Sequence, residues 1–211
     1  MFRQLTIGVL ISVSLSGVAS AQVAMLTQVS GNVTVSPKGG AARPAVPFLK
    51  VNEGETLALA AGSRVQLVYL ATGRQEIWRG AGPVELGNQE GRSNSLKAET
   101  SQVPALILKQ LQKTPAVGQP GKTGMVMLRS LDNLAELDQL EKDYKDFRAK
   151  AAADDTTPEV FYLTGLLDLH DYDRASTFLD ELKARQRTLP ALEPIVAHFS
   201  TLLAAAKKPR N

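Results

Sequence analysis

The spacing of apolar and polar positions changes once along the chain. From residue 23 to about residue 96 it runs with period two. Val23, Met25, Val29, Val33 and Val35 are apolar, while Gln28, Ser30, Asn32, Thr34 and Ser36 are polar. That alternation predicts a half-buried strand, bent at Gly31 and ended by Pro37-Lys38-Gly39-Gly40. Further strand segments are predicted over 46–51, 56–60, 64–70, 75–79 and 84–86, separated by turns rich in glycine. The clearest is 64–70, with Val65, Leu67 and Tyr69 on one face. Thr72-Gly73 predicts a hairpin, and the strand pairing back carries Trp78. Short strands at regular spacing predict a small sandwich, roll or barrel.

Beyond residue 104 the spacing becomes helical. Leu106, Ile107, Leu108 and Leu111 predict a short helix over 104–113. Residues 114–124 hold Pro115, Pro120, Gly118, Gly121 and Gly124, the composition of a linker, and Met125-Val126-Met127-Leu128 is an ambiguous apolar run. Leu131, Leu134, Leu137, Leu140, Tyr144, Phe147 and Ala151 then form one stripe. Thr157 and Pro158 read as the N-cap and first turn of a second long helix carrying Val160, Phe161, Leu163, Leu166 and Leu167. His170-Asp171 turns the chain into a third, with Ala175, Phe178, Leu179 and Leu182, ending near Gln186. Pro194 opens a fourth, with Ile195, Val196, Phe199, Leu202 and Leu203. Four amphipathic helices with short loops predict stacked antiparallel hairpins. The expected class is α+β: a small all-β part over 22–100, a short helix and linker over 101–124, and a helical part over 125–211. The low apolar content of the linker predicts two separately compact parts.

The first 21 residues read differently. Arg3 precedes an apolar run containing Ile7, Val9, Leu10, Ile11, Val13 and Leu15, and Ala19-Ser20-Ala21 places small residues where a signal peptidase reads. The expectation is a secretory leader over 1–21, cut after Ala21; the alternative is retention as an anchor. No later apolar run approaches the roughly twenty residues that cross a bilayer. The mature chain is therefore expected in the periplasm or secreted, without stable membrane insertion.

Composition narrows the picture further. A hydrophobic fraction of 44% supplies a core, and the absence of cysteine means that packing alone must hold it and that thiol chemistry plays no part. The 24 Lys and Arg against 21 Asp and Glu leave a net charge of +3, with no concentrated basic face apart from Lys207, Lys208 and Arg210, so no nucleic-acid partner is expected.

Candidate chemistry is sparse. Asp168-Leu169-His170-Asp171-Tyr172-Asp173 gathers ligand types, but adjacent helical positions face different ways, and an aspartate capping the next helix explains the stretch equally well. His198 sits between Ala197 and Phe199 and reads as a packed or polar-face histidine. No G-x-S-x-G elbow is present, and Gly118-Gln119-Pro120-Gly121-Lys122-Thr123 lacks the spacing and leading strand of a phosphate loop. Glu136, Asp138, Glu141, Lys142, Asp143, Lys145 and Asp146 form a solvated helix face. Trp78 is either a core residue or a platform for a ligand; in the second case it joins Arg74 and Arg79 in a binding hairpin. No catalytic residue, metal site or cofactor is expected.

Val29-Ser30-Gly31-Asn32-Val33, Gly54-Glu55-Thr56-Leu57, Gly62-Ser63-Arg64-Val65-Gln66-Leu67 and Gly73-Arg74-Gln75 before Trp78 follow one another in an order that resembles the periplasmic FecR-type domain of bacterial envelope proteins. The last hairpin departs from that family, with Thr72-Gly73-Arg74 where Asp-Gly-Ser is commoner. Phe161, Gly165, Asp171-Tyr172-Asp173, Ala175 and Phe178 are similar to a tetratricopeptide hairpin, but Gly165 to Ala175 is about two residues short of that repeat. The resemblances imply an exported non-enzymatic envelope protein that binds an envelope protein or glycan. The alternative is a periplasmic hydrolase acting on the cell wall or another envelope substrate. The family's signalling role is not implied, because this chain shows no cytoplasmic segment followed by a membrane helix.

Overall fold

The computed structural model describes residues 22–117 and 132–207. The leader, most of the linker, the Met125-Val126-Met127-Leu128 run and residues 208–211 of the basic tail lie outside the described residues. The fold is α+β, two antiparallel five-stranded sheets followed by helices. The strands are β1 Gln22–Ser30, β2 Val33–Ser36, β3 Arg43–Pro44, β4 Lys50–Asn52, β5 Thr56–Leu59, β6 Arg64–Tyr69, β7 Arg74–Arg79, β8 Gly82–Leu86, β9 Gly91–Arg92 and β10 Glu99–Gln102. One sheet runs β10-β7-β6-β1-β4 and the other β3-β2-β5-β8-β9. The helices are α1 Ala105–Lys113, α2 Asp132–Lys150, α3 Thr157–Asp168, α4 Tyr172–Gln186 and α5 Glu193–Ala206, with a 3-10 turn Pro190–Leu192 before the last.

The first predicted strand is two strands in different sheets. Gly31, at φ 79°, carries the chain across, and a Cβ there would lie 2.7 Å from the Ser63 hydroxyl. The sheets close on one core containing Leu26, Val35, Leu57, Leu67, Tyr69 and Trp78. Strand β1 is buried on both faces from Val23 to Gln28. A register shift between Leu26 and Gln28 against β6 breaks the simple alternation there.

The reason for two-sided burial is the helical layer. Met25 and Val68 leave the sandwich core and join Phe48, Val103, Ile107 and Leu111 in a second core with the apolar residues of α2 to α5. The expectation of two separately compact parts therefore gives way to a shared core. The short helix α1 brings this about by placing Ile107 and Leu111 between sheet and bundle. Helix α3 is central, with every residue from Thr157 to Leu167 buried. Gly165 lets α2 approach it, since a Cβ there would meet Leu140 methyl carbons at 2.5 and 2.6 Å.

Polar groups fix the joint. Gln66, fully buried on β6, donates through Nε2 to Asp155 Oδ1 at 3.0 Å and to Thr157 Oγ1 at 3.1 Å. Asp155 Oδ1 also accepts from Thr157 N at 2.9 Å; the N-cap of α3 is Thr156, so Thr157 is the first helical residue and not the cap that was predicted. His198 of α5 stacks on Phe48 with centroids 4.6 Å apart, and its Nε2 lies 3.1 Å from the Pro115 carbonyl. Phe48 holds φ 63°, a strained backbone for a bulky residue, and is fully buried.

Candidate functional site: an aromatic helical groove and a polar cleft at the sandwich mouth

Two concavities merit attention. The first is a groove of about 410 Å³ formed by α2, α3 and α4. The stripe of α2 delivers Tyr144, the central helix delivers Tyr162, and the stripe of α4 delivers Phe178. Tyr144 and Tyr162 stack at 4.7 Å with 20° between planes, and Phe178 stands edge-on to Tyr162 at 4.8 Å. Burial pushes both tyrosine hydroxyls above their ordinary range, so they remain protonated donors at neutral pH. Glu141, Lys145, Asp173, Arg174 and Glu181 lie around these rings. Hydrogen bonding from Lys145 at 2.7 Å holds the Glu141 carboxyl below the usual range.

Beneath this groove lies a buried charge cluster. Glu159 is fully buried and faces Arg148 at 3.1 Å and Arg185 at 3.6 Å. Desolvation outweighs both arginines and pushes its carboxyl above the ordinary value. Arg148 also donates to the carbonyls of Asp155 at 2.5 Å, Ala151 at 3.2 Å and Ala152, tying the C-terminal end of α2 to the start of α3.

The second concavity, of about 940 Å³, opens at the mouth of the sandwich between β10 and the β8–β9 hairpin. Its walls are polar, with Glu53, Arg74, Asn88, Glu90, Arg92 and Gln102 among them. Below it, Glu76 is fully buried and accepts from Arg74 Nε at 2.7 Å, Trp78 Nε1 at 3.0 Å and Gly91 N at 3.1 Å. Position 91 needs glycine: a Cβ would lie 2.9 Å from Glu76 Oε2 and 3.0 Å from the Trp78 ring. The hydrogen bond that Arg74 donates to Glu76 holds its guanidinium proton still more tightly than usual. The Tyr69 hydroxyl is buried without a hydrogen-bond partner, and its proton is held more tightly through burial first and then the charge of Glu76.

The structure does not bring Trp78, Arg74 and Arg79 together on one surface. Trp78 is 3% exposed and faces the sandwich core, so it is no stacking platform; its indole satisfies Glu76. Arg74 reaches the polar cleft, whereas Arg79 is exposed and pairs with Glu99 outside the residues that line it. In the Asp168–Asp173 stretch, Asp168 pairs with Lys113 and Asp171 caps α4 by accepting from Arg174 N at 3.0 Å. Among the described residues no three histidine, aspartate or glutamate side chains gather as a metal would require. The groove's ring set was only partly legible: Tyr144 and Phe178 stand in apolar stripes, but Tyr162 sits off the stripe of α3. Glu76 carried no signal, since a glutamate on a strand reads as solvent-facing. The chain matches no protein-family model, no curated protein and no solved structure.

Proposed function

We propose that the protein is an exported binding protein of the cell envelope that holds a partner without chemical turnover, through the groove of α2, α3 and α4. The observation that carries this reading is the floor of that groove, three rings from three helices under a charged rim. Aromatic surfaces give large contact area at small entropic cost, and paired amphipathic helices accept a peptide or another helix. Export is supported by the leader pattern of residues 1–21. The likeness of the β part to periplasmic FecR-type domains and of the helices to tetratricopeptide hairpins agrees with a scaffold role. The polar cleft at the sandwich mouth is a second candidate surface, for a protein or a glycan.

The test is photo-crosslinking in intact cells of the native host. A photoreactive phenylalanine analogue is placed at Thr177, within the groove, or at Lys109, on the solvent side of α1. The expected result is one envelope protein adduct from position 177, absent from 109 and lost when Lys145 is changed to a bulky residue that fills the groove. Adducts from 109 alone, or hydrolysis of cell-wall fragments by the purified protein, would refute it.

A further inference from the structure

We infer that the outer edge of β10 is a strand-addition site for an extended segment of a partner polypeptide. It is distinct from the helical groove and does not depend on it. Val103 N donates to Gly73 O at 2.9 Å, and β10 pairs β7 with Ser101 opposite Gln75 and Glu99 opposite Ile77. Hydrogen-bonded and non-bonded pairs alternate in an antiparallel ladder. Counting from Val103, Ser101 and Glu99 turn their N–H and C=O groups toward β7. Thr100 and Gln102 therefore turn theirs outward, away from the sheet. β10 is an edge strand, and all four of its residues are exposed.

The other three edges are blunted and this one is not. β3 has two residues and ends in Pro44, and β9 has two residues. β4 carries Lys50, whose ammonium donates to the Gln112 carbonyl of α1 at 3.4 Å. Short length, proline and lysine are the devices by which sheets avoid edge pairing. β10 has four residues, none of them proline, lysine or glycine, and its one charge, Glu99, is paired with Arg79. Space for a guest is present beside it. The polar cleft of about 940 Å³ is lined by Thr100, Ser101 and Gln102 on one side and by Glu90 and Arg92 on the other. Arg92 and Glu90 pair with each other at 3.5 Å and Glu90 reaches Arg74 at 3.9 Å, while Arg92 stays 79% and Glu90 47% exposed at the rim of this space. Main-chain donors and acceptors turned outward along one wall, facing a polar, ion-paired rim, complement the backbone of an extended peptide. A sugar would use the side chains but not the outward ladder of Thr100 and Gln102.

The experiment uses the mature full-length chain and a phage-displayed library of random peptides of about ten residues, enough to span the edge. Thr100→Pro removes one outward N–H and leaves the β7 ladder intact, because edge strands tolerate proline at that phase. Thr100→Ala keeps the backbone and serves as control. The expected result is enriched peptides that bind wild type and Thr100→Ala alike. They should bind Thr100→Pro about tenfold more weakly or worse, and lose binding on N-methylation at alternate backbone positions. The peptide arm decides the matter even if Thr100→Pro perturbs folding. Binders insensitive to both changes, no enrichment, or binding of cell-wall oligosaccharides in place of peptides would overturn the inference. Failure of the groove crosslink at position 177 would leave this result untouched.

Discussion

Replacing Arg148 by alanine tests how α2 and the turn after it are held against α3. Arg148 is the partner closest to a carboxylate that has no exposure of its own, and it also bonds three carbonyls at the turn between α2 and α3. Removing it leaves Glu159 buried against Arg185 alone, at 3.6 Å and with that side chain 46% exposed. Breaking a buried pair from one side costs about 3–5 kcal/mol, because the remaining charge has lost its partner. For a chain of this size each kcal/mol moves the melting temperature by about 2–4 °C, so Arg148→Ala should lower it by about 10 °C. Glu159→Gln is far cheaper, at about 1 kcal/mol: Arg148 keeps its three carbonyls and 21% side-chain exposure, and the amide is neutral.

The pH dependence gives the sharper test. The Glu159 carboxyl already titrates above its unfolded value. The folded state therefore binds that proton more tightly. The cost of ionising Glu159 is absent below the unfolded value and develops as pH rises through the folded one. Without Arg148 the folded value rises further, so Arg148→Ala should lose stability over a wider span of rising pH. The double variant Arg148→Ala, Glu159→Gln should recover much of the loss and remove that dependence. Urea denaturation of the wild type and all three variants from mildly acidic to neutral pH measures each term. Equal costs for Arg148→Ala and Glu159→Gln, or a double variant with the same pH slope as Arg148→Ala, would refute the reasoning.

Three shorter predictions follow from other contacts. Gly165→Ala should gain about 1 kcal/mol in helix propensity but lose about 1–3 kcal/mol by pressing on Leu140, for a small net destabilisation. Its cost should shrink in a Leu140→Ala background, and strict additivity in denaturant titrations would count against the contact. Trp78 is the single tryptophan and is buried, so native emission should be blue-shifted and resist iodide quenching; ready quenching would place it at the surface. Burial holds the His198 imidazole below its usual range, so the unfolded chain takes up that proton first. Stability should therefore fall as pH drops from about 6.5 and level off below the folded value. His198→Gln should flatten that fall while costing about 1 kcal/mol through the lost stack on Phe48, and an unchanged acid slope would show that another group drives it.

What could be read in the sequence follows from which faces each element buries. β6 was legible because Val65, Leu67 and Tyr69 alternate toward one core, and the helical stripes were legible because each turns one face inward. β10 was not, because all its residues are exposed and an edge strand without a buried face leaves no period to detect. The second covered face of the β6 sheet was hidden for the opposite reason. Gln66 occupies the polar phase of the alternation, yet it is fully buried, and the partner that permits this, Asp155, lies 89 positions away. Glu76 repeats the case, with Gly91 and Arg74 supplying the donors that let a carboxylate sit on the core side of a strand. A polar residue at a polar phase is read as solvated unless its partner is known, and the partner is a property of the tertiary fold. Trp78 shows the converse. An aromatic with a polar handle suited either surface or core, and only the buried Glu76 beneath the cleft decides for the core. The surfaces proposed for binding follow the same logic: no single stripe encodes the groove, whose rings come from three helices, and no side chain encodes the β10 edge, which would recognise a partner through main-chain groups common to every residue.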